Sequence, residues 1–176
     1  TDYKSLTDYI KSNFEDYKKY CLGHSVGALI LGMNPDSEIF EEFIFVGTQN
    51  AFVGNLRLKT KIEAYLGFGI VQPLFTSFLG YFPASWFGLG ESLPSGSAFD
   101  WRILILNKKS TNNLLEKSAD FSKKLRQKVL VIWAEDDAWL TEKGVKSLLE
   151  NTYANLRPTY RQIYTSESDK GEIGHV

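Results

Sequence analysis

Gly23-His24-Ser25-Val26-Gly27 is a G-x-S-x-G pentapeptide set between the apolar run Tyr20-Cys21-Leu22 and the helix-like run Ala28-Leu29-Ile30-Leu31. A serine on so tight a strand-to-helix reversal is held clear of its neighbours, and its hydroxyl can attack an acyl carbon once a base takes its proton. Glycines on both flanks are expected, because a Cβ there would collide with the adjoining strand or helix. The base is easy to search for, since the chain has only two histidines. His24 adjoins Ser25, and successive residues leaving a strand project to opposite sides, so its imidazole should face away from the hydroxyl. By elimination the base is His175, in the loop-like run Gly171-Glu172-Ile173-Gly174-His175. A carboxylate is then needed behind the imidazole, to accept its Nδ1 proton and fix the tautomer. The run Lys128–Trp133 empties into Ala134-Glu135-Asp136-Asp137, which offers Asp136 and Asp137. The chemistry of such a set is acyl transfer through a serine ester. The Val26 backbone N–H, at the start of the following helix, would face the oxyanion.

These groups need elements to position them, and the chain alternates helices with strands. Leu6, Ile10 and Phe14 at four-residue spacing predict a helix over Asp2 to Phe14, followed by the strand that ends at Leu22. After Asn34-Pro35-Asp36, residues Glu42 to Gly47 predict a second strand. Val129 to Trp133, continuously apolar and β-branched, reads as a buried parallel strand. Thr141 should cap a helix carrying Val145, Leu148 and Leu149, and Thr159 to Tyr164 alternates as an edge strand. The four strands should lie in the order nucleophile strand, Phe43 strand, Val129 strand, Tyr160 strand.

Between the second and third strands, about Phe52 to Asp120, the alternation breaks and aromatics crowd together. This insertion should be a cap over a cleft. Phe68, Phe75, Phe78, Tyr81, Phe82, Trp86 and Phe87 supply more apolar surface than a short crossover needs. His24, Phe82, Trp86 and Trp101 are the candidate substrate contacts. The apolar stretch Ala64 to Tyr81 is interrupted by Gln72, Pro73, Thr76 and Ser77, so no membrane span is expected.

Composition bounds the remaining choices. At 176 residues, 43% hydrophobic and 14% aromatic, the chain can bury one sizeable core. The expected organisation is one domain: core residues 1–51, cap 52–120 and core 121–176. A net charge of −1 and a pI near 6.1 make no electrostatic case for nucleic acid or an anionic membrane as partner. The single cysteine, Cys21, rules out an internal disulfide and favours a reducing, cytoplasmic setting. There is no zinc-like Cys/His spacing, so neither metal nor cofactor is expected.

The chain resembles a family of predicted bacterial α/β-hydrolases of the serine aminopeptidase-like group. That family pairs G-H-S-x-G with stretches close to Gly80-Tyr81-Phe82-Pro83 and Gly88-Leu89-Gly90-Glu91-Ser92-Leu93-Pro94-Ser95-Gly96, with a tryptophan-arginine element like Trp101-Arg102, and with a terminal motif like Ile173-Gly174-His175. Where its members often carry a second tryptophan, this chain continues Ile103-Leu104-Ile105-Leu106. The resemblance implies an α/β-hydrolase fold: the carboxyl-side half of a mostly parallel sheet flanked by helices, with a helical, aromatic-rich cap. It also implies the triad order Ser25, Asp137, His175, because related hydrolases read G-x-x-D where this chain has Ala134 to Asp137. The implied activity is hydrolysis of a small acyl substrate: an ester, thioester or amide. A non-catalytic relative binding an apolar ligand or partner under the cap is the alternative, and an acyltransferase with the same triad is a third reading. Family members have strands before the nucleophile strand and a helix after the histidine. The expectation is therefore a fragment of a longer protein, inactive or nearly so when expressed alone.

Overall fold

The computed structural model describes residues 2–175. In chain order the elements are α1 (Asp2–Asn13), β1 (Tyr20–His24), α2 (Val26–Leu29), β2 (Glu42–Val46), α3 (Leu58–Leu66), α4 (Gln72–Leu79), β3 (Tyr81–Phe82), β4 (Leu93–Pro94), α5 (Ser95–Leu106), α6 (Thr111–Lys117), β5 (Lys128–Ala134), α7 (Glu142–Asn151) and β6 (Arg157–Ile163). β1, β2, β5 and β6 form one parallel sheet in that order, and β3 pairs antiparallel with β4 in a small ribbon. This is the strand order that the sequence predicts.

Side-chain alternation decides which face of the sheet is covered. Phe43 and Phe45 of β2 and Val129, Val131 and Trp133 of β5 are buried in one cluster with Val145, Leu148 and Leu149 of α7. Thr141 caps α7 by accepting the Gly144 N–H at 3.0 Å. The opposite face is open among the described residues. Leu22, Ile44 and Leu130 lie side by side in register across three strands, and Leu22 and Leu130 are exposed. β5 is thus apolar on both faces but buried on one, which corrects the expectation of a strand buried on both. α1 is corrected too: it turns Thr7 inward and leaves Leu6 exposed, as is Phe14 just past its end.

The segment between β2 and β5 serves several places, one of them a cluster of Val53, Leu56, Ala64 and Ile105. Leu104 of α5 belongs to the cluster beneath the sheet, whereas Phe82, Ala84 and Ala98 form a small cluster of their own. Its longest feature is a single helix from Leu58 to Leu79, in which α3 passes into α4 through a π-type turn at Gly67–Val71. Gln72, Pro73, Thr76 and Ser77 lie within this continuous helix. Pro73 has no N–H, so the Phe68 carbonyl finds no backbone donor in the π register, where Gln72 N–H already bonds Gly67. Arg102 fills that place, its Nε donating to the Phe68 carbonyl at 3.1 Å.

Candidate active site

The pentapeptide is the sharp turn from β1 into α2. Ser25 has φ 50° and ψ −122°, a conformation costing about 1–3 kcal/mol for a residue with a side chain. Its N–H donates to the Val46 carbonyl of the neighbouring strand at 2.9 Å, which anchors the turn. Gly23 is required, because a Cβ there would lie 2.7 Å from Ala28 Cα. Gly27 is not: a Cβ would meet nothing within 4 Å, so only one of the two flanking glycines is a steric necessity.

What holds α2 against the sheet is a residue that the sequence analysis does not single out. Tyr153, fully buried just beyond α7, donates its hydroxyl to the Ala28 carbonyl at 2.7 Å, with the Leu29 carbonyl at 3.0 Å, and accepts the Gly32 N–H at 3.1 Å. The end of a four-residue helix would otherwise bury unpaired carbonyls. Burial pushes the Tyr153 phenol well above its ordinary range, which keeps the donor proton in place.

The structure brings Ser25, His175 and Asp137 together. His175 Nε2 lies 3.3 Å from Ser25 Oγ, and its Nδ1 lies 2.6 Å from Asp137 Oδ2. Asp137 is 1% exposed, and its other oxygen accepts the Trp139 N–H at 2.8 Å. The carboxylates before it are also engaged. Asp136 accepts the Ile173 and Gly174 N–H groups at 2.9 and 3.0 Å, and those bonds hold its carboxyl below the usual carboxylate range. It clamps the loop that carries His175, while Asp137 meets the imidazole. Glu135 accepts the Thr165 hydroxyl and N–H at 2.7 and 2.6 Å, fixing the start of the same loop to the end of β5. Gln49, just past β2, fastens the stretch after Asp137: its Nε2 donates to the Trp139 carbonyl, and its Oε1 accepts the Thr141 N–H at 3.3 Å.

A cavity of about 290 Å³ opens beside Ser25 and His175 and is mostly apolar. Val26 and Leu29 line it from the turn, Phe68, Phe82, Leu89 and Leu93 from the insertion, Trp101, Leu104 and Ile105 from α5, and Trp139 and Leu140 from the loop after β5. Two of the four candidate substrate contacts, Phe82 and Trp101, are therefore on its wall. His24 and Trp86 are not. Trp86 is mostly exposed and packs edge-on against Phe75. His24 is exposed, like Tyr20 and Leu22 on the same strand, and its ring stands 5.5 Å from that of His175. Among the described residues, no group of three or more His, Cys, Asp or Glu side chains is placed to hold a metal ion.

No family model and no curated protein sequence matches the chain. Solved structures do. A soluble variant of monoglyceride lipase from Saccharomyces cerevisiae, in complex with a substrate analog, superposes with a TM-score of 0.53 at 13% identity, covering 97% of this chain and 62% of that one. The Pyrococcus furiosus esterase gives 0.49 at 13% identity, covering 93% and 52%. The RedJ thioesterase of the prodiginine pathway of Streptomyces coelicolor gives 0.42 at 14% identity, covering 91% and 60%. The chain thus spans between 52% and 62% of the length of these three. A parallel sheet in the order β1-β2-β5-β6, a serine on the strained turn after β1, and a superposition over nearly the whole chain lead to one conclusion: this chain has the α/β-hydrolase fold.

Proposed function

We propose that the protein is a serine hydrolase that cleaves an ester, thioester or amide through an acyl-enzyme. The observation that carries this reading is the chain of contacts from Ser25 Oγ through the His175 imidazole to the buried Asp137 carboxylate. Ser25 Oγ attacks the substrate carbonyl carbon while His175 Nε2 takes its proton. Asp137 keeps Nδ1 protonated beforehand and balances the imidazolium afterwards. The carbonyl oxygen, now an oxyanion, is met by the Val26 N–H, which opens α2 and so has no acceptor within the helix. Collapse expels the leaving group with the proton from Nε2. Water, deprotonated by the same nitrogen, then releases the acid and restores Ser25.

The cavity supports an apolar acyl or aromatic group of modest size, since 290 Å³ is at the lower end for small-molecule sites. In this reading residues 52–120 are the cap that supplies much of its wall. The serine aminopeptidase-like affiliation and a cytoplasmic location belong to the same proposal, the first resting on the Tyr81-Phe82-Pro83 and Trp101-Arg102 elements. Arg102 now has a structural role there, completing the helix at Phe68 so that Trp101 and Phe68 face one cavity. The test is hydrolysis of p-nitrophenyl esters of graded chain length by the full-length protein. Turnover that favours short and medium chains and vanishes in Ser25→Ala is expected. Turnover unchanged by Ser25→Ala contradicts the proposal.

A further inference from the structure

The helix Leu58–Leu79 is built inside out for a helix that caps a water-soluble body. Its buried positions include Thr60, Gln72 and Thr76, whereas Leu58, Ile62, Leu66, Ile70, Leu74 and Phe78, spaced every fourth residue, are between 52% and 86% exposed. A four-residue step overshoots a full α-turn by about 40°, so a stripe at this spacing winds away over a few turns. The π-type turn at Gly67–Val71 takes in an extra residue and turns the stripe back, keeping it along one side. The apolar surface then runs on past the helix. Trp86 is exposed beside it, and Leu89 is both exposed and part of the cavity wall.

The geometry points to a lipid bilayer surface as the partner of this stripe, with the helix lying flat and the mouth of the cavity turned toward the lipid. Charge supports that occupant. From Ala64 to Gly90 there is no charged side chain, and the helix begins with Arg57, Lys59 and Lys61 against Glu63 alone. A basic end beside a long apolar face is the pattern of an interfacial helix, and Tyr65, Tyr81 and Trp86 suit the headgroup level. The net charge of −1 for the whole chain conceals this local excess. The helix is long and apolar enough to cross a membrane by length and composition. Spanning would strip Thr60 from the Ala138 carbonyl and Arg102 from the Phe68 carbonyl, and would put Gln72 and Thr76 into hydrocarbon. Lying on the surface costs none of these bonds. The docking stands whether or not Ser25 is a nucleophile.

The experiment is co-sedimentation of the full-length protein with phosphatidylcholine vesicles containing a minor fraction of phosphatidylglycerol. The wild type should sediment with the vesicles, and the triple variant Leu66→Gln, Leu74→Gln, Phe78→Gln should lose at least about tenfold in partitioning. Leu6→Gln, an exposed apolar residue on α1, should bind like the wild type. If the triple variant does not fold, Phe78→Gln alone, the most exposed member of the stripe, should still weaken binding measurably. A wild type that stays in the supernatant overturns the proposal, as do folded stripe variants that bind undiminished. A wild-type dimer that the triple variant dissociates, with no vesicle binding, overturns it in favour of a second copy of the chain.

Discussion

Ser25 and Ser110 share one backbone conformation and nothing else. Their φ and ψ are 50°, −122° and 45°, −118°, and each stands immediately before a helix. They are the only non-glycine residues with positive φ among those described. Ser110 is fully buried, and its Oγ donates to the Leu104 carbonyl at 2.8 Å, tying the end of α5 to the start of α6. Ser25 faces the cavity, with the His175 ring 3.3 Å from its Oγ. Backbone strain therefore marks a place where the chain is forced to turn, and the neighbours decide what the turned residue does. At Ser110 the hydroxyl repairs a helix end. At Ser25 that repair is delegated to Tyr153, which takes up the carbonyls of α2 and leaves the serine hydroxyl to His175.

The comparison can be broken at several points. The largest effect is expected at the hydroxyl of Ser25: Ser25→Ala in the full-length protein should lower kcat/KM for a p-nitrophenyl ester by at least about 10⁴-fold, while Ser110→Ala leaves it within a small factor. Next comes the acid behind the imidazole. Asp137→Asn should cost about 10⁴-fold in kcat, whereas Asp136→Asn, which loosens the loop without touching the ring, should cost about 10²-fold. Steady-state kinetics on the two variants separate these roles, and equal losses would contradict the division of labour. Stability effects are smaller. Tyr153→Phe should destabilise the fold by about 1–3 kcal/mol in a denaturant titration, because three buried backbone groups lose their partner. Ser110→Ala should lose a similar amount, and Ser110→Gly less, because glycine adopts this backbone at little cost.

The smallest effect is in pH. The carboxyl of Asp136 is held low by the Ile173 and Gly174 N–H groups. Its contribution is thus complete above the ordinary aspartate value of about 3.9 and is lost as pH falls through the lower folded value. The protection factors of the Ile173 and Gly174 amides, taken against the intrinsic exchange rate at each pH, should fall in that acid window in the wild type. In Asp136→Asn that pH-dependent fall should be absent.

Much of the architecture is legible in the residues, because the four strands of the parallel sheet announce themselves locally as apolar or alternating runs, and the pentapeptide links strand to helix; the short β3–β4 ribbon gives no such signal. The covered and open faces of the sheet are not legible. β5 carries apolar residues on both sides, so its sequence cannot report that Leu130 is exposed while Val131 is buried. The helix Leu58–Leu79 misleads in a related way. Its exposed side is more apolar than its buried side, and an amphipathic reading turns it the wrong way. At the candidate site, Ser25 and His175 follow from residue type and elimination, which leave Asp136 and Asp137 both open until the family resemblance favours Asp137; the roles of Tyr153, Asp136 and Gln49 follow from neither. Those three act through bonds to backbone groups far off in sequence, such as Tyr153 to Ala28, and nothing in residue type alone marks a bond of that kind.

The most direct measurement is reaction of the full-length protein with a fluorophosphonate probe, followed by mass spectrometric mapping of the adduct. A serine activated by His175 should be phosphonylated at Ser25 alone, with no adduct at Ser110 and none in Ser25→Ala or His175→Ala. An adduct that persists in Ser25→Ala, or a folded protein that stays unlabelled at Ser25, would contradict the account.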